Sequence, residues 1–149
     1  MSERNTRVVR RAFEEVYNQG LLDAVDELVS RDFVAHAGPQ EILGPEGMKQ
    51  YVAALREAFP DLHLTIDDQV ADGDRVATRW TATGSHTAPF HGLPPTGKRG
   101  VWSGIGIDRV IGGVVIECWI HADELALLRH LGAIPFPSTL GAGASAGTC

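Results

Sequence analysis

Apolar residues at Val9, Ala12, Phe13, Val16 and Tyr17 recur at helical spacing, and Gly20 follows as a left-handed stop, so the pattern predicts an amphipathic helix from about Thr6. Leu21, Leu22, Val25, Leu28 and Val29 predict a second, short helix, and Phe33-Val34-Ala35-His36 reads as a brief extended piece. Gly44-Pro45-Glu46 opens a third helix with Pro in its first turn; its stripe is Met48, Tyr51, Val52, Leu55, Ala58 and Phe59, and Pro60 ends it. At Leu62 the period changes to two. Leu62, Leu64 and Ile66 alternate with His63, Thr65 and Asp67, as in a strand with one wet face. Asp72-Gly73-Asp74 supplies a hairpin turn into a strand from Arg75 to about His86, and a partner strand runs from about Val101 to Val110. The loop between them, with Pro89, Gly92, Pro94, Pro95 and Gly97, is too interrupted for a regular element. Gly112-Gly113 turns the chain into a last strand, Val114 to His121, which passes into a helix at Asp123 to Leu131 closed by Gly132 and Pro135. Helices first, an antiparallel meander next and one helix last make an α+β domain whose curved sheet wraps over a helical layer.

A chain of 149 residues, 44% apolar and 21% charged, suits one domain over 1–135 followed by a small-residue tail at 136–149, expected to be mobile. At this size about 70% of the unfolded surface can be buried, enough for a core with a chamber inside it. The formal charge of −6 argues against nucleic acid or an anionic membrane as partner. Two cysteines, Cys118 and Cys149, form no disulfide framework, and no metal-ligand spacing or nucleophile elbow occurs. Gly104-Ile105-Gly106 lies inside a strand and lacks the rest of a dinucleotide fingerprint. With no signal-peptide pattern and no apolar run long enough to span a bilayer, a cytoplasmic protein is expected.

The element order, Gly44-Pro45-Glu46-Gly47, the phrase Gly92-Leu93-Pro94-Pro95-Thr96-Gly97-Lys98, and Trp119-Ile120-His121-Ala122-Asp123 running on to Leu131-Gly132 resemble the SnoaL-like polyketide cyclases, within the nuclear transport factor 2-like superfamily. The resemblance covers about Val8 to Pro135. It implies a cone of bent, mostly antiparallel sheet and packed helices around a deep apolar cavity, no cofactor, and a homodimer or homotetramer. It also implies ring closure of a hydrophobic polyketide by intramolecular aldol condensation, although relatives on this fold isomerise, dehydrate, open epoxides or only bind ligands. Alignment by motif places the acid/base aspartate of the aldol-type cyclases at Ile120, its histidine partner at Gly106 and a glutamine at Gly104. The inherited polar cluster is therefore replaced.

A base for an α-proton and a donor for an enolate oxygen must come from elsewhere. His36 matches a polar pocket position of the family and is the preferred acid/base candidate; a half-exposed strand-end histidine is its ordinary alternative. His121 and Asp123 would share a face if strand conformation persists to Asp123, with His121 as base and Asp123 orienting it. Asp123 equally suits a helix N-cap, worth about 1 kcal/mol. Tyr17 and Tyr51 match pocket-lining positions and offer phenol donors. Trp80, Trp102 and Trp119 offer flat surfaces for a polycyclic ligand, not all of which can face inward, and Gly104 and Gly106, of the same strand parity as Trp102, would leave room beside it. Arg79 could hold a substrate carboxylate or pair on the surface, and Cys118 and Ile120 complete the substrate-binding set. His86 and His91 flank the Pro-rich loop, a candidate lid.

These residues point to a cofactor-independent cyclase of natural-product biosynthesis, by aldol-type or other ring closure. Two rivals stay open. A related isomerase, dehydratase or epoxide hydrolase needs a buried carboxylate, for which Asp108 and Asp123 are the candidates. A non-catalytic ligand-binding dimeric module would show His36 and His121 turned to water and no polar atom in the pocket.

Overall fold

The computed structural model describes residues 2–134. The predicted tail at 136–149 lies outside the described residues. Helix α1, Ser2–Arg11, starts before the first apolar residue of its stripe and continues into a π-helical segment, Ala12–Asn18. Phe13, Val16 and Tyr17 all lie on its buried side, as their helical spacing predicts. A 3₁₀ turn at Leu22–Ala24 and the short α2, Val25–Leu28, lead into β1, Val29–Ala37. A tight turn then gives β2, Gln40–Leu43, an edge strand missed by the sequence pattern because Ile42 is its one buried residue. Helix α3, Gly44–Ala58, follows as predicted.

Strands β3, His63–Asp72, β4, Arg75–Ser85, β5, Arg99–Ile111, and β6, Val114–Ala122, form the meander, and α4, Glu124–His130, ends it. The described residues make one six-stranded sheet in the order β2-β1-β6-β5-β4-β3. Only the β1–β6 pair is parallel. Register shifts at Ile66/Asp68 in β3 and Arg109/Val110 in β5 bend the sheet over the helices.

Phe33 and Ala35 of β1, Val76, Thr78, Trp80 and Ala82 of β4, and Trp102 and Val110 of β5 face inward, covered by Met48 and Val52 of α3. Phe59 is fully buried, with its ring centroid 5.1 Å from that of Trp102, 5.4 Å from Phe90 and 5.5 Å from His86. It joins the end of α3 to the sheet and to the loop at 86–98. His86, also fully buried, fixes that loop from inside. The Thr96 N–H donates to His86 Nδ1 at 3.1 Å, and His86 and Gly97 or Lys98 exchange main-chain bonds of 2.8 and 2.9 Å. Since Nδ1 accepts, the ring proton of the neutral form sits on Nε2.

Candidate active site

The bent sheet does not close completely on the helices. Between them lies a cavity of about 1360 Å³, walled by Val9, Phe13, Phe33, Leu64, Trp80 and Trp102 among others. It is wide for a single-ligand site, which typically measures about 300–1,000 Å³. One end opens where the β1–β2 turn at Gly38 and Pro39, the loop residues Pro89, Phe90 and His91, and the start of α4 at Asp123, Glu124 and Leu125 converge. His91 reaches across this mouth to Glu124 at 3.4 Å.

Inside, the polar side chains are few and close together. Asp108 of β5 and Cys118 of β6 are direct partners across the antiparallel ladder, both face the cavity, and the Cys118 thiol donates to the Asp108 carboxylate. Asp108 is half-buried and lines the cavity. Burial pushes its carboxyl up to about 6, against the smaller downward pull of the Cys118 hydrogen bond. The thiol is raised well above its ordinary value, first by burial and then by the charge of Asp108. Tyr17 enters from the π-helical segment and Tyr51 from α3. Burial raises Tyr17 well above its ordinary value, with Tyr51, Cys118 and Asp108 adding to it; burial lifts Tyr51 to about 12. At neutral pH the phenols and thiol are therefore protonated donors, while Asp108 titrates within the working range. Neither lysine nor arginine is among the lining residues.

The sequence candidates divide by strand alternation. Tyr17, Tyr51, Trp80, Trp102, Gly106, Cys118 and Ile120 line the cavity. Gly104 faces inward too, but it leaves no room for a substrate: a Cβ there would run into the Trp80 ring and lie 2.8 Å from the His121 carbonyl oxygen. Trp80, its cross-strand partner, already fills that space. Gly106, opposite Ile120, is open apart from the Trp119 carbonyl oxygen at 3.3 Å.

His36 does not reach the cavity. Phe33, Ala35 and Ala37 take the inward positions of β1, so His36 points to the outer face, where Nε2 lies 2.8 Å from Glu117, Nδ1 3.4 Å from Glu41, and the ring stacks on Trp119. His121 is exposed at the rim. The proposed His121–Asp123 pairing fails because the strand ends at Ala122, and Asp123 Oδ1 instead accepts the Ala126 N–H at 3.0 Å as the N-cap of α4. Arg79 sits on the outer face, 57% exposed, with Asp67 at 3.9 Å. Among the described residues no cluster of three His, Cys, Asp or Glu side chains could hold a metal ion, and no helix is long and apolar enough to cross a membrane.

Asp108 was legible as a carboxylate but not as the centre of this cluster. Its signal was parity: in Trp102, Gly104, Gly106, Asp108 and Val110, one carboxylate interrupts an otherwise apolar inward row.

The family model of the SnoaL-like polyketide cyclases matches residues 7–131. Aklanonic acid methyl ester cyclase DnrD of Streptomyces peucetius is 28% identical, over 88% of this chain and 92% of the relative. Nogalonic acid methyl ester cyclase of Streptomyces nogalater is 26% identical, over 84% and 95%. The crystal structure of a Jannaschia sp. CCS1 protein, described as a SnoaL-like polyketide cyclase, superposes with a TM-score of 0.82 at 28% identity, over 90% of this chain and 95% of that one. With its bent sheet, helical cover and apolar chamber, the chain belongs to the SnoaL-like polyketide cyclase family.

Proposed function

We propose that the protein closes a ring in a hydrophobic, uncharged polyketide-type substrate folded inside the cavity, without a cofactor. The observation that carries this reading is an apolar chamber of about 1360 Å³ whose interior polar groups gather around Asp108 and Cys118. Apolar walls bind a greasy molecule without fixing its chemistry, whereas a compact polar cluster gives one end of it an orientation. Trp80 and Trp102 offer flat surfaces to fused rings, Gly106 and Ile120 leave a smooth patch between them and the polar cluster, and the Tyr17 and Tyr51 hydroxyls supply donors for carbonyl oxygens. Holding two ends of one molecule in contact replaces a large part of the barrier to ring closure, since effective molarities reach about 10⁵–10⁸ M. A cavity lined by neither lysine nor arginine suits a substrate whose carboxyl group is masked. The curated relatives, named as cyclases of methyl esters, support this reading.

The test is incubation with aklanonic acid methyl ester and nogalonic acid methyl ester, followed by chromatography and mass spectrometry. Ring closure gives a product of unchanged mass and altered retention. Saturable binding of both with no new product would replace the cyclase reading with that of a ligand-binding module.

The outer face of the sheet suits a second copy of the chain. Val70, Ile105, Ile107 and Ile111 stand exposed there, interspersed with Arg75, Arg79, Asp67 and Asp68, so the surface is apolar with mixed charges that can pair across a two-fold axis. A homodimer through this face is the proposed assembly.

A further inference from the structure

Three features outside the inherited motif positions stand out: the outward His36–Glu117 contact, the buried His86 that ties down the 86–98 loop, and the Asp108–Cys118 pair. The first two lack contact with the cavity. We propose that Asp108 is the proton-transfer residue of this protein and that Cys118 is its positioning residue. The proposal rests on the cyclase reading and goes beyond it by naming the group that moves the proton.

The geometry supports Asp108 in four ways. It lines the cavity, so a bound molecule can touch it. It sits on a strand, between main-chain bonds on both sides, so its carboxylate is held by a rigid element. Tyr17 of the π-helical segment, with Tyr51 of α3 beyond it, and Cys118 of β6 interact with its charge, its ladder partner on β4 is the apolar Val76, and no lysine or arginine lines the cavity. The other lining carboxylates, Glu41, Asp123 and Glu124, belong to the mouth; Glu41 lies beside His36, Asp123 caps α4 and Glu124 lies beside His91. Desolvation makes Asp108 a stronger base than an exposed carboxylate, and a base is most effective when it titrates near the working pH.

The step balances without another reactant. The Asp108 carboxylate takes a proton from a carbon next to a carbonyl, and the electron pair left behind forms an enolate whose oxygen accepts hydrogen bonds from the tyrosine hydroxyls. The enolate carbon bonds to a second carbonyl carbon of the same molecule, whose π pair moves to oxygen. Asp108 then returns the proton to that oxygen. Nothing is oxidised or reduced, and the product keeps the substrate's mass. Cys118 acts through Asp108: by donating to the carboxylate it favours the ionised form and fixes which lone pair faces the cavity.

The experiment uses the full chain and 2-tetralone, a bicyclic ketone with slowly exchangeable hydrogens at C1. Exchange into deuterated buffer is followed by NMR, and binding by tryptophan fluorescence. Wild type is expected to accelerate exchange, with a pH profile that rises through a midpoint near 6. D108N and D108A, checked for folding by circular dichroism, are expected to bind the ketone and to lose about 100-fold or more of the acceleration, the usual contribution of a positioned base. C118A is expected to keep exchange but to move the midpoint upward, because the donor to the carboxylate is gone. H36Q, on the outer face, is expected to match wild type. Exchange by folded D108N or D108A at the wild-type rate overturns the assignment of Asp108 and leaves the cyclase reading standing, as does binding without exchange by wild type. An unchanged midpoint in C118A removes Cys118 from its role. Failure of wild type to bind the ketone at all, together with no conversion of the methyl esters, instead overturns the cyclase reading.

Discussion

Burying Asp108 for chemistry has a thermodynamic consequence that can be measured without any substrate. Its carboxyl ionises at about 6 in the folded chain against 3.8 when solvated, chiefly because burial penalises the charged form. Below about pH 3 it is protonated in both states and opposes nothing. Between about pH 4 and 6 the unfolded chain ionises the group freely while the folded protein keeps it protonated, so stability falls across that window and levels off above about 6, where both states are ionised. At about 1.4 kcal/mol per tenfold change, the interval corresponds to about 3 kcal/mol. This is a ceiling, because a cavity wide enough for water solvates part of the charge. D108N removes the titration. In urea unfolding, the stability of D108N relative to wild type should therefore grow by up to about 3 kcal/mol between pH 3.5 and 7.5, which is about 1–3 M in midpoint for an ordinary urea slope. Taking the difference between two proteins cancels every other titrating group. A difference that stays flat with pH would mean that Asp108 is solvated like a surface carboxylate, and the argument for it as a tuned base would go with it.

Other substitutions test the packing. G104A should lose about 1–3 kcal/mol, because its Cβ meets the Trp80 ring and the His121 carbonyl oxygen, while G106A should stay within about 1 kcal/mol of wild type, with one contact at 3.3 Å; equal thermal melting points for the two would contradict the description of the inner face. D123A should lose about 1 kcal/mol with the N-cap bond to Ala126, and D123S should recover most of it in the same denaturation assay. I105D places a charge amid the exposed apolar row of the outer face, and sedimentation should show a shift from dimer to monomer with the fold intact; unchanged sedimentation removes the proposed interface.

The helices and the meander could be read from the chain because each presents one apolar face with a clean period, as Met48, Val52 and Phe59 do around α3 and as Leu62 and Leu64 do entering β3. Strand β2 could not, since four residues with one of them buried carry no period. The π-helical turn was also hidden, because the spacing of Phe13, Val16 and Tyr17 is one that an ordinary α-helix shares. At the site, identity was easier to read than direction. His36 looked reactive, yet a strand gives alternate residues to opposite faces, and which face is inner depends on where Phe33 and Ala35 pack. The cap role of Asp123 was legible from its place directly before an apolar helix. Asp108 carried no local motif; its significance comes from Cys118 on the neighbouring strand and Tyr17 far away in sequence.

Strand β5 writes two messages on one backbone. Its even-numbered residues from Trp102 to Asp108 shape the chamber, and its odd-numbered residues from Val101 to Ile107 shape the exterior. Changes at 102, 106 or 108 can thus retune which molecules fit while the outside of the protein stays as it was. A one-residue insertion without a compensating bulge would exchange the two rows, driving isoleucines into the chamber and stranding the carboxylate in solvent. The reading frame of this strand is therefore as much a determinant of activity as any single side chain on it.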